Sequence, residues 1–336
     1  MSNQSQWKTS TGFILASAGS AIGLGAMWKF PYMAGIYGGG AFLLMFLIFT
    51  IFVGLPLLIM EFTVGKMGRT YTTQIYSKLT GKKWLNLIGW NGNLAVLILF
   101  GFYSVIGGWI IIYMGNVIVQ ALSFKPISLT SIKFEEVIRN PWLTVLGQGI
   151  FIFLTMIIVM LGVEKGLEKA SKIMMPLLFI FLLIIVVKSL TLDGALEGVR
   201  YILQPRLHDV SMEGVLFALG QSFFTLSLGT TGMITYASYA PKEMTIKSSA
   251  ISIVVMNILV SILAGLAIFP ALKAFGYQPQ EGPGLLFKVL PLVFNQMHFG
   301  AIFYFIFLVL FLFAALTSSI SLLELNVSNF TKNDNR

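Results

Sequence analysis

The sequence predicts an all-α integral membrane protein in which two of the membrane-spanning helices are interrupted. The 336 residues are 57% hydrophobic and only 10% charged, with a mean hydropathy of +0.86. Water-soluble domains average about 45–50% apolar and 25% charged residues, so a water-soluble protein is excluded. The apolar residues form long stretches, and two of these stretches contain glycine-rich breaks.

Each apolar stretch approaches or exceeds the length that crosses a bilayer, which is about 20 residues for a helix. Unbroken apolarity over this length favours helices over the alternating pattern of barrel strands. The third stretch is longer than a bilayer requires and is predicted to be tilted. The stretches are 12–36, 40–64, 87–121, 143–162, 173–190, 213–239, 247–275 and 299–327.

The charge distribution predicts the orientation of these eight spans. With a cytoplasmic N-terminus, more than half of the Lys and Arg residues fall in cytoplasmic connections, as the positive-inside rule requires. We therefore expect a multi-pass plasma-membrane protein with both termini in the cytoplasm. The net charge of +9 then reflects topology, and the lipid bilayer, not nucleic acid, is the predicted partner.

Enzymatic chemistry is not predicted. The chain has no cysteine and only two histidines, which excludes disulfides, thiolate nucleophiles and Cys-ligated metals. The sequence also shows no nucleophile–base pair, no cluster of metal-binding residues and no phosphate-binding loop.

The two breaks lie in spans that are five segments apart. The first contains Gly19, Gly23 and Gly25, and the sixth contains Gly229 and Gly232 beside several Ser and Thr residues. Glycine weakens a helix by about 1 kcal/mol relative to alanine, and unpaired backbone groups in hydrocarbon cost several kcal/mol. Matching breaks in corresponding spans indicate an inverted-repeat transporter whose binding site lies at the breaks.

Each polar feature has a purely structural alternative. Freed carbonyls in span 1 suit a cation, and a half-helix N-terminus suits a carboxylate, but small residues also mediate helix contacts. The hydroxyls of span 6 favour a polar cavity, although such groups often bond back to their own helix. In span 8, Thr317, Ser318 and the Ala314 carbonyl offer three oxygen ligands, yet a Thr-Ser-Ser run alone usually mediates packing.

Together these residues resemble the neurotransmitter:sodium symporter family along essentially the whole chain. The motifs that carry the resemblance are Trp7, Gly19–Gly25, Trp28–Tyr32, Gly38–Phe42, Gly54–Pro56, Glu61, Phe223–Gly229, Thr235–Tyr239 and Leu316–Ser319. The resemblance implies the leucine-transporter fold, an inverted repeat with discontinuous helices 1 and 6. The first repeat would occupy about 12–190 and a partial second repeat about 213–330.

The family normally has eleven or twelve spans, so we expect a fold truncated after about eight. A truncated product, half of a split gene and a short protein all stay open as explanations. The implied function is sodium-coupled symport of a neutral amino acid into the cell. The alternative is a truncated, non-transporting membrane protein that only binds a ligand or an ion. The identity of the amino acid and the formation of a homodimer also stay open.

The resemblance implies two sodium sites. The second would use the carbonyls of Gly19, Ile22 and Ala314 and the hydroxyls of Thr317 and Ser318, and every side-chain ligand is present.

The first sodium site would use the carbonyl of Ala21, both oxygens of Thr225, the amide of Asn257 and the substrate carboxylate. Ala26 stands where the family has an Asn ligand. We therefore hypothesise a single sodium, at the second site; the alternative is that water replaces the missing amide.

Chloride dependence is uncertain from the sequence. The family's chloride ligands match Gln221 and Ser261, together with Thr225 and Asn257, but Phe46 replaces the usual Tyr. No acid at position 261 substitutes for the anion.

The resemblance also implies a substrate pocket in which Tyr103 hydrogen-bonds the substrate carboxylate. Thr230 stands where the family often has an aromatic residue, and the absence of an acid favours a neutral amino acid over a cationic amine. The implied lining residues are Ser20, Ala21, Leu24, Gly25, Leu99, Tyr103, Phe224, Thr225, Ser227, Thr230, Ser318 and Leu322.

Four further residues are implied to act as gates or supports. Glu61 would brace the break in span 6, and Lys29 stands where the family has the Arg of the outer gate. Trp7 and Tyr239 of the inner gate are present. The usual ion pair there is replaced by Gln4 and Lys332.

Overall fold

The computed structural model describes residues 6–123, 127–278 and 282–330, whose secondary structure consists of helices joined by turns and loops, with no strand. The α-helices are α1 (Ser10–Leu24), α2 (Phe30–Ile36), α3 (Gly40–Phe49), α4 (Leu55–Gly68), α5 (Thr72–Thr80), α6 (Asn86–Leu122), α7 (Phe134–Arg139), α8 (Pro141–Met160), α9 (Lys169–Leu190), α10 (Ala195–Leu203), α11 (Met212–Thr225), α12 (Gly232–Ser238), α13 (Ile246–Ala274), α14 (Leu290–Gln296) and α15 (Gly300–Phe330). Short π-helical turns cover Gly25–Lys29, Thr50–Gly54, Val163–Glu168 and Leu285–Val289.

In the described part of the chain, seven continuous helical segments are long and apolar enough to cross a membrane. They are Ser10–Ile36, Gly40–Gly68, Lys83–Leu122, Pro141–Met160, Val163–Leu190, Ile246–Ala274 and Gly300–Phe330. The predicted sixth span, 213–239, is not among them because residues 226–231 divide it into α11 and α12. The multi-pass architecture and the interruption of span 6 are therefore confirmed.

Span 1 lies at the centre of the helix bundle. Of the residues in the most apolar 18-residue window of Ser10–Ile36, 78% are buried inside the protein, whereas the share in the corresponding window of Pro141–Met160 is 22%. Helix α1 packs against α9, α13 and α15. A broken helix at this position has protein rather than lipid around it, so neighbouring helices can bond to its freed backbone groups.

Backbone dihedrals locate the two breaks. Gly23 has φ −5° and ψ −150°, which interrupts α1 before the chain resumes helical geometry. In the α11–α12 connection, Ser227, Gly229 and Thr231 have φ of 53°, 78° and 61°. Non-glycine residues with positive φ are uncommon and cost about 1–3 kcal/mol where the surroundings hold them. Both breaks are thus built from conformations that a regular helix does not use.

Candidate functional site

Helix α15 lies directly against the break in α1. A Cβ atom added at Gly23 would lie 1.8 Å from the Ser318 hydroxyl, so only glycine permits this approach. The Ser318 hydroxyl donates to the Ser20 carbonyl at 3.1 Å and lies 3.5 Å from that of Gly19. A side chain from α15 therefore replaces hydrogen bonds that the broken helix lacks.

The residues of the predicted second sodium site converge at this contact. A Cβ atom at Gly19 would lie 3.1 Å from the Thr317 Cβ, and Thr317 and Ser318 are each 3% exposed. The Thr317 hydroxyl bonds back to the Ala314 carbonyl at 3.1 Å, and the Ile22 carbonyl accepts from the N–H of Gly25. Neutral oxygen ligands from two helices suit a small hard cation.

The α11–α12 connection is held by polar groups from two other spans. The Glu61 carboxylate accepts the Gly229 N–H at 2.7 Å. The Ser227 hydroxyl donates to the Ser20 carbonyl at 3.1 Å, which links the two breaks directly. The Thr230 hydroxyl instead bonds back to the Ser227 carbonyl at 2.9 Å. The second Glu61 oxygen is buried and has no hydrogen-bond partner among the described residues.

A cavity of about 70 Å³ lies between the two breaks, α6 and α15. Eight of the residues implied for the substrate pocket line it: Ser20, Leu99, Tyr103, Phe224, Ser227, Thr230, Ser318 and Leu322. A larger groove, of about 570 Å³, lies between α9 and α15, but the surface that lines it is almost entirely apolar, as expected of a surface facing lipid. The small cavity is therefore the better candidate for binding a polar ligand.

Four of the implied pocket residues do not line the cavity wall. Ala21, Leu24, Gly25 and Thr225 are buried beside it. The cavity is also lined by three residues that the sequence did not assign to the pocket: Phe223, Leu228 and Ser321. Ser321 lies three residues after Ser318, and helical residues at this spacing share a face, so periodicity could have indicated it.

The amide side chains of the predicted first sodium and chloride sites each use their nitrogen on a backbone carbonyl. Asn257 donates to the Thr225 carbonyl at 2.9 Å and Gln221 to the Gly25 carbonyl at 2.8 Å. Their amide oxygens are buried with no hydrogen-bond partner among the described residues. A backbone carbonyl can only accept a hydrogen bond, so each side-chain amide must turn its NH₂ group toward that carbonyl. The amide oxygen of each side chain then points away and stays without a partner among the described residues. Free acceptors suit a cation or a water molecule better than an anion.

The positions around these amides are hydrophobic or engaged in local bonds. The Ser261 hydroxyl bonds back to the Asn257 carbonyl at 2.9 Å, and the Thr225 hydroxyl donates to the Gln221 carbonyl at 2.9 Å. Ala26 and Phe46 are both fully buried. The methyl group of Ala26 offers no ligand to sodium where the family has Asn, and the ring of Phe46 offers none to chloride where the family has Tyr.

The implied gate residues lie on two sides of the cavity. On one side, the Trp7 indole donates to the Tyr236 carbonyl at 2.9 Å, and the Tyr239 hydroxyl donates to the fully buried Glu324 at 3.1 Å. On the other side, the Lys29 ammonium lies 4.2 Å from the centre of the Phe224 ring. Gln4 and Lys332 lie outside the described residues.

Comparisons with known proteins place the chain in one family of transporters. A model of the Sodium:neurotransmitter symporter family matches residues 4–133 and 127–334. An uncharacterized sodium-dependent transporter of Bacillus subtilis, YhdH, is 50% identical over 331 residues, which is 98% of this chain and 73% of the relative. An uncharacterized sodium-dependent transporter of Haemophilus influenzae is 36% identical over 332 residues, 96% of this chain and 73% of the relative.

A solved structure has the same fold. The crystal structure of MhsT in complex with L-phenylalanine is 40% identical, with a TM-score of 0.89, and the match covers 98% of this chain and 75% of that chain. The leucine-transporter fold and the absence of an enzymatic role are thereby confirmed. The chain belongs to the sodium:neurotransmitter symporter family of multi-pass, sodium-dependent membrane transporters.

Proposed function

We propose that the protein carries a neutral amino acid into the cell together with sodium, by alternating access. The observation that carries this proposal is the cavity between the two helix breaks, where Ser227 and Ser318 both donate to the Ser20 carbonyl. Binding sites in this architecture lie at such breaks. The similar transporter MhsT was solved with L-phenylalanine, which supports an amino acid as the ligand.

The second sodium site would couple the ion to the bundle because its ligands come from two helices. Gly19 and Ile22 belong to α1, whereas Ala314, Thr317 and Ser318 belong to α15. A bound cation would hold α1 against α15, and its release would free that contact. The ion thereby favours one arrangement of the bundle over the other, which is what coupling requires.

The lining of the cavity favours a substrate without net charge. Among the described lining residues there is no Asp, Glu, Lys or Arg, and an unpaired charge in such a site would lose its hydration without compensation. A zwitterion brings one charge of each sign. We assign its carboxylate to the Tyr103 hydroxyl, which is buried at the α6 wall of the cavity.

We propose that one sodium suffices and that chloride is not required. Ala26 removes a ligand from the first site, and Phe46 removes one from the chloride site. The unpartnered oxygens of Gln221 and Asn257 would face an anion unfavourably, because both are acceptors. Water molecules satisfy these oxygens in this proposal.

The two sides of the cavity would open in turn. Trp7, Tyr239 and Glu324 form the cytoplasmic closure if both termini lie in the cytoplasm, as the charge distribution predicts. Lys29 and Phe224 then belong to the extracellular side. Rocking or gating of one bundle against the other exposes the site alternately.

Uptake by reconstituted protein tests the proposal. Proteoliposomes holding the full chain receive labelled neutral amino acids, with an inward gradient of sodium or, as the control, of potassium. We expect accumulation above the external concentration with sodium only, and its collapse when a sodium ionophore is added. Sodium-dependent binding without accumulation would show instead a membrane protein that binds its ligand and does not transport it.

A further inference from the structure

The cavity is unusually rich in serine and threonine hydroxyls. Five of them line it: those of Ser20, Ser227, Thr230, Ser318 and Ser321. A sixth hydroxyl, that of Tyr103, is assigned above to the substrate carboxylate. Serine and threonine hydroxyls each carry one proton to donate and two lone pairs that accept. The direction of each proton therefore decides what the cavity offers to a ligand.

Four of the five protons are taken by backbone carbonyls. Ser227 and Ser318 donate to the Ser20 carbonyl at 3.1 Å each. Thr230 donates to the Ser227 carbonyl at 2.9 Å and Ser321 to the Ser318 carbonyl at 2.7 Å. Because carbonyls cannot donate, these protons are fixed. Redirecting any of them would give up a hydrogen bond to a backbone carbonyl, worth about 0.5–1.5 kcal/mol net.

The direction of the fifth proton, that of Ser20, follows from the bond that Ser321 makes. The Ser20 and Ser321 hydroxyl oxygens are 2.7 Å apart, and either could donate in isolation. Since the Ser321 proton lies on the Ser318 carbonyl, Ser20 must donate to Ser321. None of the five hydroxyls then has a proton left for a ligand, and the wall they form presents only lone pairs.

These lone pairs lie away from the carboxylate end. The Tyr103 hydroxyl lies beside that of Ser318, whereas Ser321 is one helical turn further along α15, about 4.5 Å away at 1.5 Å per residue. Thr230 approaches from the α11–α12 connection. A bound amino acid with its carboxylate at Tyr103 would extend its side chain toward Ser20, Ser321 and Thr230.

We propose that the cavity selects amino acids whose side chain donates a neutral hydrogen bond, and that Ser321 is a specificity-determining residue. This inference rests on the proposed function, because it presumes that an amino acid binds here. A hydroxyl, amide or indole N–H would pair with the lone pairs of Ser20 and Ser321. An aliphatic side chain of the same shape would bury them unpaired, and sites built to hydrogen-bond a group reject analogues that lack it.

Matched ligand pairs test the proposal without altering the protein. Full-length protein in nanodiscs with sodium is titrated with threonine against valine and with tyrosine against phenylalanine, and binding is followed by thermal shift and calorimetry. We expect the hydrogen-bonding member of any pair that binds to bind about tenfold tighter, as one net hydrogen bond allows. Equal or tighter binding of valine or phenylalanine would overturn the inference.

Two variants of α15 assign the effect to Ser321. Ser321→Ala removes an acceptor from the cavity, and we expect the preference within a pair to fall to less than threefold. Ser319→Ala is the matched control, since Ser319 is fully buried, does not line the cavity, and its hydroxyl has no partner among the described residues. The control should keep the full preference. An undiminished preference in Ser321→Ala would show that Ser321 does not set specificity.

Failure of the proposed function and failure of the inference about hydrogen-bond donors give different results. If no α-amino acid shifts the melting temperature in sodium, the proposed function itself fails. If other amino acids bind but neither member of either pair does, only the inference about hydrogen-bond donors is overturned.

Discussion

The break in α1 depends on the absence of a side chain at position 23, and Gly23→Ala is the most direct way to perturb it. The added Cβ would lie 1.8 Å from the Ser318 hydroxyl, 2.9 Å from the Ser318 Cβ and 3.3 Å from the Ala314 carbonyl. The hydroxyl can rotate away, but the Cβ and the carbonyl move only with α15. The substitution therefore pushes α1 and α15 apart at the second sodium site.

The cost comes from overpacking. Overpacking of a buried contact typically costs about 1–3 kcal/mol, which is a substantial share of a typical folding free energy of about 5–15 kcal/mol. We expect lower thermal stability and loss of sodium binding.

Sodium-dependent stabilisation measures both effects. A ligand that binds only the folded state adds about 2.7 kcal/mol at one hundred times its Kd, so the melting temperature of the wild type should rise from choline to sodium buffer. Gly23→Ala should melt lower and lose that rise. Gly101→Ala is the matched control, because Gly101 lies within α6 and a Cβ there meets nothing within 4 Å. Helix propensity alone predicts a gain of about 0.5–1 kcal/mol for the control.

A double variant tests the crowding directly. Ser318→Gly removes the two nearest atoms that the new methyl group meets and leaves the Ala314 carbonyl, so Gly23→Ala with Ser318→Gly should recover part of the stability. It should not recover sodium binding, because the hydroxyl ligand is gone. A wild-type sodium response in Gly23→Ala would refute the reasoning, since it would show that α1 and α15 can separate without loss of the site.

Three further predictions concern other parts of the molecule. Tyr103→Phe should reduce uptake at least tenfold while the fold is retained, as judged by an unchanged elution profile; undiminished uptake would exclude the carboxylate role. Sodium titration of uptake should give a Hill coefficient near one, and Thr317→Ala should abolish the dependence of uptake on sodium. A coefficient clearly above one would show that the first sodium site also binds an ion. The exposed Glu135 carboxylate accepts a hydrogen bond from Lys288, which lowers the pKa of Glu135, so this ion pair contributes stability above the ordinary carboxyl pKa and loses it as the pH falls through the lowered value. The melting-temperature difference between wild type and Glu135→Gln should therefore be present at neutral pH and vanish in acid; a difference that persists there would rule out this ion pair as its source.

The positions of the breaks were predictable because their signals are local. Glycine spacing marked Gly23, and the hydroxyl-rich run with Gly229 marked the connection that replaces helix at 226–231. The apolar stretches predicted the spans for the same reason, since length and composition alone decide whether a helix crosses a bilayer.

The bonding of each hydroxyl was not predictable from the sequence. Thr225 and Thr317 bond back to their own helices, whereas Ser227 and Ser318 reach across to α1. All four are small hydroxyl residues in apolar spans, so composition does not distinguish them. The choice depends on how closely a neighbouring backbone approaches, which packing over more than 200 residues of separation determines.

Ser318 shows how the sodium ion and the substrate could affect each other's binding in this architecture. Its oxygen belongs to the proposed sodium site, while its proton is held by the Ser20 carbonyl, and both residues line the cavity. A cation on the oxygen would polarise the O–H bond and strengthen its hydrogen bond to Ser20. The α1 wall of the cavity would then be fixed more firmly when sodium is bound, and the amino acid would meet a site already ordered for it. By thermodynamic reciprocity, the amino acid must strengthen sodium binding by the same factor, so one shared hydroxyl suffices to link the two.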